Sequence, residues 1–108
     1  MLRGNLRRAL ALVRKRTHRE EPLRITLYER AGCGLCDETH RALRRIALDR
    51  ALEIERVDID TDDTLRHRYT LRVPVLHTDN GDLDAAGLDD AAIARWIAAV
   101  GTGPAILW

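Results

Sequence analysis

Apolar and polar residues alternate in short stretches of this chain, and between those stretches the spacing widens to that of a helix. Arg24-Ile25-Thr26-Leu27-Tyr28 alternates and is partly β-branched, which predicts a strand. Over residues 36–50 the apolar positions Leu35, Leu43, Ile46, Ala47 and Leu48 recur at helical spacing. Asp37 and Glu38 stand in the first turn, where the positive end of the helix dipole favours them. Glu53-Ile54-Glu55-Arg56-Val57-Asp58-Ile59 alternates again and predicts a second strand. Thr61-Asp62-Asp63 reads as the N-cap region of a short helix from Leu65 to Tyr69. Arg72 to Thr78 predicts a third strand, with Pro74 at its entry. Asn80-Gly81 predicts a hairpin turn into a short fourth strand, Leu83 to Ala85. Asp89 or Asp90 then caps a last helix carrying Ile93, Trp96, Ile97 and Val100, with Gly101 at its end.

The order is β-α-β-α-β-β-α. A strand–helix–strand start implies a right-handed parallel crossover, and the hairpin that follows implies an antiparallel edge. The expected architecture is an α/β domain: a four-stranded mixed sheet with helices on both faces.

At 108 residues one domain is expected. The domain is expected over residues 22–101, beginning at Pro22, between a basic N-terminal segment (1–21) and a tail (102–108). Net charge is only +1, but it is unevenly spread: residues 1–24 hold eight basic and two acidic side chains. Leu2, Leu6, Ala9, Leu10 and Val13 share one helical face in that segment, and Arg and Lys cover the rest. A helix without special chemistry is the first expectation there, ahead of an anionic-surface contact. In the tail, Ile106, Leu107 and Trp108 offer apolar surface that would pack on the domain. No apolar run approaches the roughly 20 residues that span a bilayer. The run from Ala9 to Val13 is also shorter than the roughly 7–15 residues of a signal-peptide core. These features lead to the expectation of a soluble, cytoplasmic monomer with no specific nucleic-acid partner.

Two cysteines, Cys33 and Cys36, are the only ones present, and they lie between the first strand and the first helix. A pair this close cannot staple a fold, so in a reducing compartment it points to catalysis or metal binding. Reversible dithiol–disulfide chemistry suits the spacing. One helical turn brings the second sulfur to the first, and the helix N-terminus stabilises a thiolate. Zinc or an iron–sulfur cluster ranks below this reading, because the chain has no second Cys pair. A Cys33-Cys36-His40 trio and a cluster shared between two copies stay open. Asp37 rather than His follows Cys36, which argues against haem attachment. The run Asp58, Asp60, Asp62, Asp63 lacks the Gly and terminal Glu of a calcium loop, and a strand end followed by a helix cap explains it better.

Three motifs in this order resemble a known family. They are Leu27-Tyr28-Glu29-Arg30-Ala31-Gly32-Cys33-Gly34-Leu35-Cys36-Asp37-Glu38, then Val57-Asp58-Ile59-Asp60, then Arg72-Val73-Pro74-Val75-Leu76. Together with the element order they look like the thioredoxin fold, and within it like the short glutaredoxin-like proteins, over about residues 24–100. The resemblance implies a thiol-disulfide oxidoreductase in which Cys33 is the exposed nucleophile and Cys36 the resolving thiol. It implies that Pro74 is cis and that the backbone of Val73 pairs with an extended thiol substrate. It places Arg30 near Cys33 and a glutathione carboxylate, with Gly34 and Leu35 in the dithiol loop. It places Gly87, Leu88 and Asp89 where glutaredoxins hold the other glutathione carboxylate. There are three departures from the usual pattern: Gly34-Leu35 between the cysteines, Arg72 before Val73-Pro74, and Ala86 before Gly87. The implied partners are a disulfide-containing protein or glutathione adduct, with glutathione or a thioredoxin-type reductase as reductant. No tightly bound cofactor and no metal are expected; glutathione is a candidate co-substrate. The rival readings are a redox-sensing or peptide-binding module without turnover and, below it, a metal or iron–sulfur protein.

Overall fold

The computed structural model describes residues 21–102. Leu2, Leu6, Ala9, Leu10, Val13, Ile106, Leu107 and Trp108 lie outside the described residues, as do the N-terminal segment and tail apart from Glu21 and Thr102. The elements are β1 (Leu23–Glu29), α1 (Gly34–Ile46), β2 (Leu52–Asp58), a 3-10 turn (Ile59–Thr61), α2 (Asp63–Tyr69), β3 (Val75–Thr78), β4 (Gly81–Asp84) and α3 (Asp90–Thr102). The strands form one sheet in the order β2-β1-β3-β4. The β1–β2 pair is parallel, and the β1–β3 and β3–β4 pairs are antiparallel. This is the expected four-stranded mixed sheet.

Period-two alternation in the strands sorts the side chains onto two faces. Ile25 and Leu27 of β1 and Leu76 of β3 face α1 and α3, where they pack with Ala42, Leu43, Ala85, Ile93 and Ile97. Leu23, Leu52, Ile54, Ile46 and Trp96 border this core. The opposite face carries a smaller cluster of Ile59, Tyr69 and Val75, with Tyr28, Leu65 and Val73 against it. The rings of Tyr28 and Tyr69 stack there with centroids 4.5 Å apart. Because α2 has only seven residues, it leaves Arg24, Thr26, Glu53, Glu55 and His77 lining an open, polar cleft on that face. His77 pairs with Asp82 across the β3–β4 ladder at 2.6 Å. Among the described residues, no helix is long and apolar enough to cross a membrane.

Several boundaries differ from the expectations, each for a local reason. α1 begins at Gly34 because Cys33 itself caps it. Leu35 and Leu48, counted on its apolar stripe, are exposed. β3 begins at Val75, not Arg72. Residues 72 and 73 both donate their N–H to the carbonyl of Tyr69, at 2.8 and 3.1 Å, and Pro74 has no N–H to give. The hairpin loop is Asp79-Asn80, one residue earlier than expected, since Thr78 pairs with Gly81. The Thr78 hydroxyl donates to the Gly81 carbonyl at 3.0 Å and accepts from the Asn80 N–H at 3.1 Å, which closes that loop. Gly101 does not end the last helix; it lies within α3. The guanidinium of Arg50 lies on it, and a Cβ there would come within 2.9 Å of Nη2, so a larger residue would push the end of the Arg50 side chain aside.

The acidic run resolves into caps and ion pairs. Asp58 accepts from the Asp60 N–H and Asp62 from the Leu65 N–H, at 2.9 and 3.1 Å. Asp60 binds Arg30, and Asp63 binds Arg66. Leu43→Ala should destabilise the domain by about 2–5 kcal/mol, because it empties a fully buried position in the main core. Asp62→Ala should cost about 1 kcal/mol, the loss of one N-cap. Urea unfolding of both variants checks the ordering; equal midpoints would refute it.

Candidate functional site

β1 ends at Glu29, and four residues turn the chain into α1. Gly32 takes φ +75°, a conformation that a Cβ disfavours, and the turn it makes delivers Cys33 to the helix N-cap. Cys33 Sγ accepts a hydrogen bond from the Cys36 N–H at 3.0 Å. This is one of the donors a helix N-terminus leaves without an intrahelical partner. Cys33 and Cys36 are joined in a disulfide, with Cα atoms 5.2 Å apart. Cys33 is half-buried, whereas Cys36 is 0% exposed. The two sulfurs are therefore unequal in access, and an incoming group meets Cys33 first.

Register brings the other expected residues to the same end of the sheet. Val75 sits opposite Tyr28, next to the carboxyl end of β1, so Pro74 lies beside the loop that carries the cysteines. The Val73–Pro74 bond is cis. Asp84 sits opposite Val75, and the Ala85 N–H donates to the Pro74 carbonyl at 2.9 Å. Gly87, at φ +78°, then turns the chain into α3, and Asp89 caps that helix by accepting from the Ala92 N–H at 2.9 Å. Asp90, the other expected cap, instead binds Arg45 of α1, which holds its carboxyl below the ordinary range. Gly34, Leu35 and Leu88 are exposed at this end.

Two expected binding groups are already engaged. Arg30 donates to Asp60 through Nε and Nη2, at 3.0 and 3.2 Å, and to the Thr70 hydroxyl at 2.6 Å. Its guanidinium thus links the dithiol loop to both ends of the α2 segment. The N–H of Val73, expected to meet a substrate strand, is given to Tyr69. Arg72 forks onto Asp84 of β4 at 2.8–3.4 Å and lies 5.2 Å from the centre of the Tyr69 ring. The residue before Val73-Pro74 therefore serves as a strut between the loop and β4. Among the described residues, no three or more His, Cys, Asp or Glu side chains are grouped to hold a metal ion, so the Cys33-Cys36-His40 trio is not assembled.

A family model described as Glutaredoxin-like domain (DUF836) matches residues 24–98. The chain belongs to the glutaredoxin-like family. Among solved structures it is similar to the X-ray structure of the Northeast Structural Genomics target protein XcR50 from X. campestris. The two are 37% identical, with TM-score 0.61, over 69% of this chain and 96% of that one. The solution structure of the same target matches at 37% identity and TM-score 0.59, over 69% of this chain and 92% of that one. No curated protein matches. The glutaredoxin-like assignment and the four-stranded sheet agree with the thioredoxin-type arrangement expected from the motifs.

Sequence reasoning missed an ionic network behind the cysteines of this glutaredoxin-like domain. Arg56 of β2 forks onto Glu29 of β1, both bonds 2.8 Å, and reaches Asp37 of α1 at 3.4 Å. The signal was present as a break in alternation. Arg56 pairs with Leu27 and so points to the face that Leu52 and Ile54 use for packing. His40 lies one helical turn after Cys36, beside this network. Burial, with the Arg56 and Arg44 charges, pushes the His40 pKa below the ordinary histidine value, against the opposing pull of Glu29 and Asp37. A histidine with a lowered folded pKa takes up its proton more readily when unfolded. Its neutral form therefore supports stability above about pH 6.5, and stability falls as pH drops toward the folded value. His40→Gln should flatten the loss of stability between about pH 7 and 5.5. Urea midpoints at the two pH values decide; an unchanged slope would refute the assignment.

Proposed function

We propose that this glutaredoxin-like protein is a thiol-disulfide oxidoreductase. The observation that carries the reading is the unequal pair: an accessible Cys33 at a helix N-cap, joined to a buried Cys36 one turn on. In the dithiol form, the Cys33 thiolate attacks one sulfur of a substrate disulfide. A mixed disulfide forms and the first substrate thiolate leaves. Cys36, losing its proton, then attacks Cys33 Sγ; the Cys33–Cys36 bond forms and the second substrate thiolate leaves. Two electrons pass to the substrate, and the two thiolates take up two protons. Glutathione or a thioredoxin-type reductase returns the dithiol, with no tightly bound cofactor, in a reducing compartment such as the cytoplasm.

The backbone donor at Sγ and the dipole of α1 favour Cys33 as the thiolate. Asp37 adds a negative charge to the same turn, but Arg56 reaches its carboxylate. Arg30 does not act on Cys33 as a free cation under this reading, because Asp60 holds it. Its role is to keep the dithiol loop fixed.

Cys33→Ser should abolish reduction of hydroxyethyl disulfide, measured as thiol release from the prereduced protein. Cys36→Ser should keep the first exchange and accumulate a mixed disulfide at Cys33, seen as added mass in the intact protein. Loss of the first exchange in Cys36→Ser but not in Cys33→Ser would reverse the two roles. A wild type that closes and opens its disulfide but never reduces the probe would favour a redox-sensing module.

A further inference from the structure

Large apolar side chains are rarely left in water without cause when they gather in one place. Among the described residues, four exposed ones stand out: Leu71 at 95%, Leu48 at 84%, Leu35 at 47% and Leu88 at 38%. Leu48 lies just past the far end of α1. The other three come from the first turn of α1 and from two loops, and the sheet register places these segments at the dithiol end. Leu35 stands between the cysteines. Leu71 projects from the tight turn that the Tyr69 carbonyl closes ahead of Val73-Pro74. Leu88 follows Gly87, in the loop that Ala85 ties to Pro74. Polar replacements would cost these solvent-facing positions nothing in folding.

The charged groups at the same end point the same way. Arg30 and Arg72, the cations nearest the dithiol loop and the Pro74 loop in sequence, are each forked onto a carboxylate, Asp60 and Asp84. The first turn of α3, expected to take a glutathione carboxylate, already has the Asp89 carboxylate on the Ala92 N–H. A small acidic thiol compound would have to displace these partners. An apolar side chain would displace only water from the leucines.

We propose that Leu35, Leu71 and Leu88 form a docking rim for a polypeptide, and that the substrate is a protein disulfide flanked by apolar side chains rather than a glutathione disulfide. This rests on the redox reading above and names the substrate class of that same site. The reaction is unchanged: the polypeptide disulfide takes two electrons from the Cys33/Cys36 pair and leaves as two thiols.

The test uses the full chain in its prereduced form, with single-turnover oxidation followed by intact mass. Four disulfides serve as probes: hydroxyethyl disulfide, oxidised glutathione, a symmetric peptide disulfide with Leu and Val flanking the cysteine, and the same peptide with Ser and Asn there. The apolar peptide should react about tenfold faster than the polar peptide and than oxidised glutathione, the gain expected from burying a few tens of Å² of apolar surface at each leucine. The double variant Leu71→Ser/Leu88→Ser should lose about that factor with the apolar peptide. Its far-UV circular dichroism and its count of two reactive thiols should match the wild type, which shows an intact dithiol in a folded protein. Equal rates for the two peptides, a faster reaction with oxidised glutathione, or an undiminished apolar-peptide rate in the double variant would overturn the proposal while leaving the redox reading standing. No oxidation by any of the four would overturn both.

Discussion

The pairing of β1 on both sides is the constraint on which the rest of the structure depends. One neighbour runs parallel and the other antiparallel, so the carboxyl end of β1 is where the chain leaves for α1 and where β3 begins. The pairs Glu29↔Asp58 and Tyr28↔Val75 set that end to within a residue. From it follow the meeting of the dithiol loop, the Pro74 loop and the Gly87 turn. A slip of one residue in β1 would turn Ile25 and Leu27 out of the main core and Tyr28 away from Tyr69. Core and site thus share one register, and neither can be altered alone.

The architecture was legible in the sequence because its signals are periodic and local. Alternation in residues 24–28 and the helical spacing of Ile93, Ile97 and Val100 map directly onto buried positions. The cysteines were legible for the same reason, since strand, turn and helix N-terminus are adjacent in the chain. What stayed hidden depends on partners far away in sequence. Nothing local says that Arg30 spends its charge on Asp60, or that the N–H of Val73 belongs to Tyr69. Gly101 was misread because a glycine near a helix end resembles a terminator. Only the fold reveals that the helix runs past it and that the Arg50 guanidinium lies against it. The hairpin shift has a similar origin: the hydroxyl of Thr78 outweighs the turn preference of Asn80-Gly81.

The charge pattern has a consistent logic. Arg56 with Glu29 and Asp37, Arg30 with Asp60, Arg72 with Asp84 and Arg45 with Asp90 each join two separate segments. Exposed pairs of this kind contribute only about 0–1 kcal/mol each. Their forked geometry does more for position than for stability, because a guanidinium bound twice resists rotation. A chain with no Phe and sparse aromatic residues has a modest core, and these forks set the angles between the loops that the core does not reach.

Tyr69 shows how closely the two faces of the sheet are connected. Its ring lies against Tyr28 on the side away from α1, while its carbonyl takes the N–H groups of Arg72 and Val73 at the edge of the site. The last turn of this seven-residue helix is also held by Arg30 on the Thr70 hydroxyl and by Arg72 beside the Tyr69 ring. The ring stack, together with these contacts, sets how firmly the adjoining Pro74 loop keeps its donors to itself. A substitution at Tyr28, whose ring lies on the face away from α1, would change what the Pro74 loop can offer a visiting chain, and that face becomes a place from which the site can be tuned without altering either cysteine.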